Sequence, residues 1–328
     1  MSSQQTTLVI AGGELAMTAA GEAAAINKEL NEEVIRSWLP ADLAPLLKIV
    51  DWSRQPGSHY TVRMTGDLVD LLSKQVADGS QSVVVACGAD ALEEMAYLAD
   101  LLWLYPQPLV FAATHMAPDV PGSDAITSLL DAINAARSTT VWGQGVLVCS
   151  GGYLYAASDV VETANYGRGG FEGIYRGAIG SVVQSTAVLW QAPKRSRIFD
   201  VPFAPARHVE LLYASLGGGE RFLRLLTESD KSVDGLVVAG FGGGSVPPSW
   251  LPYIKTLVRG GIPVVAASRC LRGCVLDARV FEGSFSRLQE LGVMSAGFLS
   301  PLQARLKLAV GIGAGLKDAE LQKYILDN

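Results

Sequence analysis

The chain has 328 residues, of which 49% are hydrophobic and 18% are charged; this excludes a disordered protein and suits about two domains of roughly 150 residues each. Its 32 acidic residues outnumber the 26 basic ones, which gives a net charge of −6, and no run of Lys or Arg occurs. This balance argues against nucleic acid or an anionic membrane as a partner, and favours a small molecule or another protein.

Short apolar, β-branched runs alternate along the chain with longer amphipathic segments. This alternation is typical of a parallel α/β sheet whose strands are buried on both faces. Strands are predicted over residues 7–11, 82–86, 108–112, 145–149, 209–213, 236–239 and 263–267. Crossover helices are predicted over residues 62–77, 91–104, 125–136 and 250–259, where apolar residues recur every three or four positions.

The composition changes at residues 196–206, where Pro and Arg occur without a clear period. We expect a linker there, between an N-terminal α/β domain over residues 1–195 and a C-terminal α/β domain over residues 207–328. The N-terminus lacks a basic segment followed by an apolar one, and no apolar run reaches about 18 residues. Neither export nor membrane insertion is therefore expected.

The cysteines and histidines lack the spacing of a metal site. Cys87, Cys149, Cys270 and Cys274 also show no disulfide framework, so reduced thiols in a cytoplasm are expected. No two of His59, His115 and His208 stand at metal-ligand spacing, which disfavours a histidine-based metal site. His115 follows a predicted strand, and we expect it in a surface loop, from which it could reach a pocket only from the side.

Several predicted strands end directly in glycine, as in AGGE at 11–14 and CGADA at 87–91. The carboxyl edge of a parallel sheet is where α/β proteins bind ligands. Glu14 and Asp90 lie in these two turns, although Asp90 also fits the N-cap of the helix that follows. The dinucleotide, ATP and serine-hydrolase motifs GxGxxG, GxxxxGK[ST] and GxSxG are absent, so no such site and no cofactor is expected.

In their order and spacing, these motifs resemble the bacterial-type L-asparaginase/glutaminase family over nearly the whole chain. AGGELAM is similar to the family's TGGTI(A/G), PGSH at 56–59 falls at its substrate loop, and VVVACGADALEEMAY at 83–97 is similar to THGTDTMEETAY. Later blocks, including SDVVET at 158–163 and GAIGSV at 177–182, follow in register. The resemblance implies a larger N-terminal and a smaller C-terminal α/β domain, in homodimers or homotetramers with active sites between subunits.

The catalytic residues that the resemblance implies are mostly replaced. The family attacks a side-chain amide with a threonine and activates it with a second threonine, an aspartate and a lysine. Here Glu14 stands at the nucleophile, Ala89 at the second threonine and Glu162 at the lysine. Asp90 and Ser58 are retained, and in the family they hold the α-amino and α-carboxylate groups of the substrate. Ordinary asparaginase activity is therefore not expected.

The resemblance also marks a substrate-binding set and two further departures. The expected binding residues are Gly57, Ser58, His59, Gly88, Ala89 and Asp90, with His59 at the position of a family glutamine. Residues 18–30 contain no tyrosine, although the family's mobile lid usually supplies one. The family's GNGN turn reads GGGS at 242–245. An amino-acid-like small molecule is the expected ligand.

Three carboxylates that converge on one pocket cannot all stay ionised unaided, because like charges raise one another's pKa. In one outcome, a protonated carboxyl lets Glu14, Asp90 and Glu162 work as acid and base, which suits a lyase, an isomerase or a hydrolase that activates water. In the other outcome, a cation lies between them, either a ligand amine or guanidinium or a metal such as Mg²⁺ or Ca²⁺.

Three functions stay open at this point. The first is an enzyme of altered chemistry on an amino-acid-like or amide substrate, with Glu14 and Glu162 as acid and base. The second is a catalytically inactive ligand-binding or regulatory protein of the same fold. The third is residual asparaginase action, with Thr18 or Cys87 in place of the missing nucleophile. Two new acids at a site that already holds Asp90 favour the first, since drift more often leaves neutral residues.

Overall fold

The computed structural model describes residues 5–19, 25–27, 29–166, 169–196, 198–199, 204–229 and 233–327. The chain forms two compact units, Met1–Ile198 and Phe199–Asn328. Residues 197 and 200–203 of the expected linker lie outside the described residues, as do residues 20–24 and 28 of the segment that lacks a tyrosine. Among the described residues, no helix is long and apolar enough to cross a membrane.

The first unit is built on an eight-stranded sheet. Its strands, with two small hairpins, are β1 (Thr6–Ala11), β2 (Met17–Thr18), β3 (Ala25–Ile26), β4 (Leu47–Ser53), β5 (Ser82–Gly88), β6 (Leu109–Thr114), β7 (Val146–Ser150), β8 (Tyr153–Ala156), β9 (Val160–Glu162), β10 (Phe171–Gly173), β11 (Gly180–Val183) and β12 (Thr186–Leu189). The sheet order is β12-β11-β8-β7-β6-β5-β1-β4. β4, β1, β5, β6 and β7 run parallel.

The sheet is mixed: the expected parallel strands are extended by antiparallel ones. β8, β11 and β12 add to it as antiparallel hairpins beyond β7. The four strands predicted for this unit are confirmed, whereas β4 and the hairpin strands were missed. β4 lies at the sheet edge with Lys48 and Asp51 exposed, so it lacks the continuous apolar run by which the central strands were recognised.

Helices cover both faces of this sheet. They are α1 (Glu32–Ser37), α2 (Val62–Ala77), α3 (Leu92–Leu102) and α4 (Ala125–Arg137), and the three predicted ones are confirmed within two residues at each end. Alternate β1 residues face opposite layers: Leu8 packs in a core with Leu129 of α4, and Val9 in a second core with Leu72 of α2. The Thr61 hydroxyl caps α2 by accepting the Met64 N–H at 3.2 Å.

The second unit has a four-stranded parallel sheet in the order β13-β14-β15-β16. Its elements are β13 (Val209–Tyr213), α5 (Glu220–Glu228), β14 (Gly235–Gly240), α6 (Leu251–Arg259), β15 (Val264–Ser268), α7 (Phe285–Glu290), β16 (Met294–Ser295), α8 (Pro301–Gly313) and α9 (Asp318–Leu326). The three predicted strands and α6 are confirmed. The two-domain α/β architecture is the one expected.

A buried ion pair joins α3 to the end of the first unit. Arg195 Nε donates to Asp100 Oδ1 at 2.9 Å, and the Val146 N–H donates to the same oxygen at 3.0 Å. The Arg195 guanidinium also donates to the carbonyls of Asp100 and Trp103, at 2.9 and 2.8 Å. The Asp100 side chain is only 5% exposed, so water does not solvate its carboxylate. The positive charge of Arg195 compensates for this lost solvation.

Arg195→Leu should lower the free energy of unfolding by about 3 kcal/mol, because it leaves Asp100 buried without its partner charge. The matched control is Arg54→Leu, which breaks a surface pair with Asp51 and should cost less than about 1 kcal/mol. Urea unfolding of both variants measures the difference. Equal losses in the two variants would contradict this role of Asp100 and Arg195.

Candidate active site

Two glycines place Glu14 at the carboxyl edge of the sheet. Gly12 and Gly13 follow β1 with φ of +73° and +66°, a conformation that favours glycine. A Cβ on Gly13 would lie 2.3 Å from the backbone nitrogen of Gly88, at the end of β5. Only glycine at position 13 therefore lets the turn after β1 lie against β5. The short 3-10 helix Gly13–Ala16 then presents Glu14 beside Gly88.

The Glu14 carboxyl group is held by the neighbouring backbone. Its Oε2 accepts the Ala89 N–H at 3.2 Å, and a Cβ on Gly88 would lie 1.9 Å from the same oxygen. Burial raises the pKa of Glu14, and the charge of Asp90 adds to this effect, while backbone N–H groups and His115 oppose it. Gly88 and Ala89 thus contact Glu14 directly.

Asp90 is exposed at the start of α3. The helix has Ala91 as its N-cap, with no side-chain capping hydrogen bond, so the interpretation of Asp90 as the N-cap is wrong. A Cβ on Gly57 would lie 2.8 Å from the Asp90 Cβ, which shows that the loop of residues 57–59 packs against Asp90. Ser58 and His59 follow in this loop, and both are exposed.

Glu162 ends β9 and faces a histidine. Its Oε1 lies 3.6 Å from His115 Nε2, and its side chain is 22% exposed. The Glu162 N–H donates to Glu93 Oε2 at 2.7 Å, which links this strand to the first turn of α3. Burial raises the pKa of Glu162, whereas His115 lowers it and the charge of Asp90 raises it. Glu14 and Glu162 therefore both interact electrostatically with Asp90 and His115.

The His115 side chain is buried, so the expectation of a surface-loop histidine is wrong. Its side chain is 3% exposed, and its Nδ1 faces Asp124 Oδ2 at 3.7 Å. Asp124 also accepts the backbone N–H groups of His115 and Met116 at 3.3 Å, which folds the loop after β6 inward. Asp124 raises the pKa of His115, burial opposes this, and Glu162 and Glu14 add to it. In the sequence, the only sign of this arrangement is Asp124, nine residues after His115.

The two substitute nucleophiles have other surroundings. Cys87 is fully buried, and burial raises the pKa of its thiol, which keeps it protonated and unreactive. The Thr18 hydroxyl donates to the exposed carboxylate of Asp119. Across the described part of the chain, no three His, Cys, Asp or Glu side chains are arranged to hold a metal ion.

Two family models match the chain. "Asparaginase, N-terminal" covers residues 5–195, and "Glutaminase/Asparaginase C-terminal domain" covers residues 208–325. A probable L-asparaginase of Deinococcus radiodurans is 32% identical over 272 residues, which is 82% of each chain. A glutamyl-tRNA(Gln) amidotransferase component from Haloquadratum walsbyi is 26% identical over 318 residues, covering 92% of this chain and 70% of the relative.

A solved structure shares the whole fold. The crystal structure of a probable cytoplasmic L-asparaginase from Campylobacter jejuni matches with a TM-score of 0.88, at 23% sequence identity. The match covers 99% of this chain and 100% of that one. At this identity the likeness establishes the arrangement of the backbone alone.

The half-buried Glu93 leads to a prediction about how stability depends on pH. Burial raises its pKa from 4.5 to about 7. Between these pH values the folded chain holds a proton that the unfolded chain releases, so Glu93 lowers stability as the pH rises. Glu93→Gln, which can still accept the Glu162 N–H, should therefore gain stability relative to the native chain from pH 5 to pH 8. The expected gain is on the order of 3 kcal/mol.

Urea unfolding at the two pH values measures this change in relative stability. The matched control is Glu33→Gln, at an exposed position in the first turn of α1. Its stability relative to the native chain should stay constant across the same range. A constant difference for Glu93→Gln as well would show that the Glu93 carboxyl is not held in its protonated form.

Proposed function

The chain belongs to the glutaminase/asparaginase family, and from that premise we propose that it is an amidohydrolase that uses carboxyl groups in place of a threonine nucleophile. The observation that carries this proposal is the pair Glu14 and Glu162. Both carboxyls are partly buried, and both interact electrostatically with Asp90 and His115. Acidic groups with raised pKa values in such a place suit acid–base catalysis near neutral pH.

The charge of the site favours a substrate with an ammonium group. Glu14, Asp90 and Glu162 are all acidic, and the exposed Asp90 side chain does not cap α3. The loop that packs on Asp90 presents the Ser58 hydroxyl and the His59 imidazole, which can donate hydrogen bonds to a carboxylate. An amino-acid-like amide carries both of these charged groups, and we propose it as the substrate class.

The proposed reaction needs one carboxylate and one carboxylic acid. The ionised carboxylate removes a proton from water as the water oxygen bonds to the amide carbon. The protonated carboxyl then donates its proton to the nitrogen as the carbon–nitrogen bond breaks. The products are a carboxylic acid and ammonia. The proton that the carboxylate took from water then passes to the carboxyl group that acted as the acid. Glu14 and Glu162 are the two groups, and general acid–base catalysis typically contributes a factor of about 10² to 10⁴.

A ligand-binding protein without turnover is the second candidate, and one contact favours it. The Ala89 N–H donates to Glu14 Oε2. While that bond is in place, this N–H group cannot stabilise the negative oxygen that amide hydrolysis develops. Binding of an amino acid would be unaffected, because it requires Asp90 and the loop of residues 57–59 rather than this N–H group.

We also propose a cytoplasmic location and a homodimeric or homotetrameric assembly. The four cysteines are all free, which suits a reducing compartment. The assembly follows from family membership and the sequence resemblance described above. Light scattering on the purified chain measures its mass in solution and would contradict the assembly if it gave the mass of a monomer.

Turnover is tested by ammonia release from L-asparagine, L-glutamine and a panel of other amino-acid amides. Glu14→Gln and Glu162→Gln should each lower kcat at least 100-fold on the amide that is hydrolysed, since neither amide side chain can transfer a proton. The matched controls are Cys87→Ala and Thr18→Ala, which should keep kcat within about twofold if neither residue is a nucleophile.

Full activity in both glutamine variants would exclude carboxyl catalysis. A loss confined to Thr18→Ala or Cys87→Ala would instead establish the residual nucleophile. If no amide is hydrolysed, calorimetry with the same panel decides for the second candidate, because a binding protein gives a saturable heat without any ammonia.

A further inference from the structure

Three ionisable side chains, Asp124, His115 and Glu162, lie next to one another in a row that ends at the proposed site. His115 lies in the middle, with Nδ1 at 3.7 Å from Asp124 Oδ2 and Nε2 at 3.6 Å from Glu162 Oε1. The side chains are 8%, 3% and 22% exposed, in the order of the row. Both ring nitrogens are buried without a hydrogen-bond partner, and each faces a carboxylate.

The imidazole ring is fixed in this position by its surroundings. A Cβ on Gly170 would lie 2.7 Å from His115 Nε2, so glycine at that position leaves just enough room for the ring. The Phe171 ring packs against it with the centroids 5.3 Å apart. From the other side, Asp124 holds the backbone of His115 through its N–H group. These contacts pack the ring between the two carboxylates.

Within the described residues, the charged groups that act on His115 are acidic. Asp124 at the start of α4, Glu162 on β9 and Glu14 after β1 all favour the protonated imidazole. Behind Glu162, the exposed Asp90 adds a further negative charge, and Glu93 accepts the Glu162 N–H group. The arginine ion pairs seen in the described part of the chain are with Glu32, Asp51, Asp100 and Glu290, none of which belongs to this group.

Building on the proposed function, we propose that His115 is a positioning residue whose imidazolium, held between Asp124 and Glu162, keeps Glu162 ionised. Glu162 is then the base that takes the proton from water, and Glu14 is the acid that protonates the departing nitrogen. Glu14 suits the second role because burial and the charge of Asp90 favour its protonated form, and these effects outweigh the opposing backbone N–H groups and His115. With Oε2 bound to Ala89, the Glu14 proton is carried by Oε1.

This assignment balances the proton count of the reaction. One proton moves from water to Glu162 as the oxygen–carbon bond forms, and one moves from Glu14 to nitrogen as the carbon–nitrogen bond breaks. Afterwards the proton on Glu162 passes to Glu14 through solvent. His115 keeps its proton throughout, since Asp124 and Glu162 face its two nitrogens from both sides.

The first test does not depend on turnover. Nitrogen NMR of the histidine side chains, with the His115 signals assigned by their loss in His115→Gln, should show both ring nitrogens protonated at pH 7. Glu162→Gln and Asp124→Asn should each lower the titration midpoint of His115 by at least half a pH unit. The control Glu33→Gln should leave the midpoint in place. A neutral His115 at pH 7, or a midpoint that Glu162→Gln does not move, would overturn the proposal.

The second test reads the role of His115 in turnover. His115→Gln should shift the acidic limb of the kcat/KM profile upward by about one pH unit with little change in KM, because Glu162 then holds its proton more tightly. A purely structural role would lower Tm and leave the acidic limb in place, and that result would overturn the positioning role. If the native chain hydrolyses no amide, the proposed function and the base assignment fail together, while the NMR titration still decides the charge of His115.

Discussion

The candidate site depends on the contact between two glycines, Gly13 after β1 and Gly88 at the end of β5. Gly13 and Gly88 approach so closely that a Cβ on either would overlap the other's backbone. This contact brings the turn after β1 against the end of β5. Glu14 therefore meets the Ala89 N–H, and Asp90 comes immediately after it. The rest of the site is arranged around this contact. A Cβ on Gly13 or Gly88 would not fit there.

Charge distinguishes this edge from an ordinary glycine turn. Part of the chain's excess of acidic over basic residues lies here, in Glu14, Asp90, Glu93 and Glu162. Burial raises the pKa of three of them, Glu14, Glu93 and Glu162. The His115 imidazole interacts with Glu14 and Glu162, so the protonation of these two carboxyls depends on the balance between desolvation and the charges around them.

The sequence predicted what depends on continuous local patterns. The central strands and α2, whose predicted bounds match, have a strong apolar period, and the glycine turns marked the edge where Glu14 and Asp90 lie. The edge strand β4 and the hairpins beyond β7 have exposed faces, so their periods are weak. The burial of His115 could not be predicted, because it depends on Asp124 folding a loop inward and on the missing side chain of Gly170.

The ion pair of Asp100 and Arg195 affects how the chain folds during synthesis. Its partners are 95 positions apart, and Arg195 is near the end of the first unit. On the ribosome, α3 emerges long before the guanidinium that neutralises its buried carboxylate. Asp100 must therefore stay protonated or hydrated until the last residues of the unit appear. The charged form of Asp100 therefore gains its partner only once residue 195 is available.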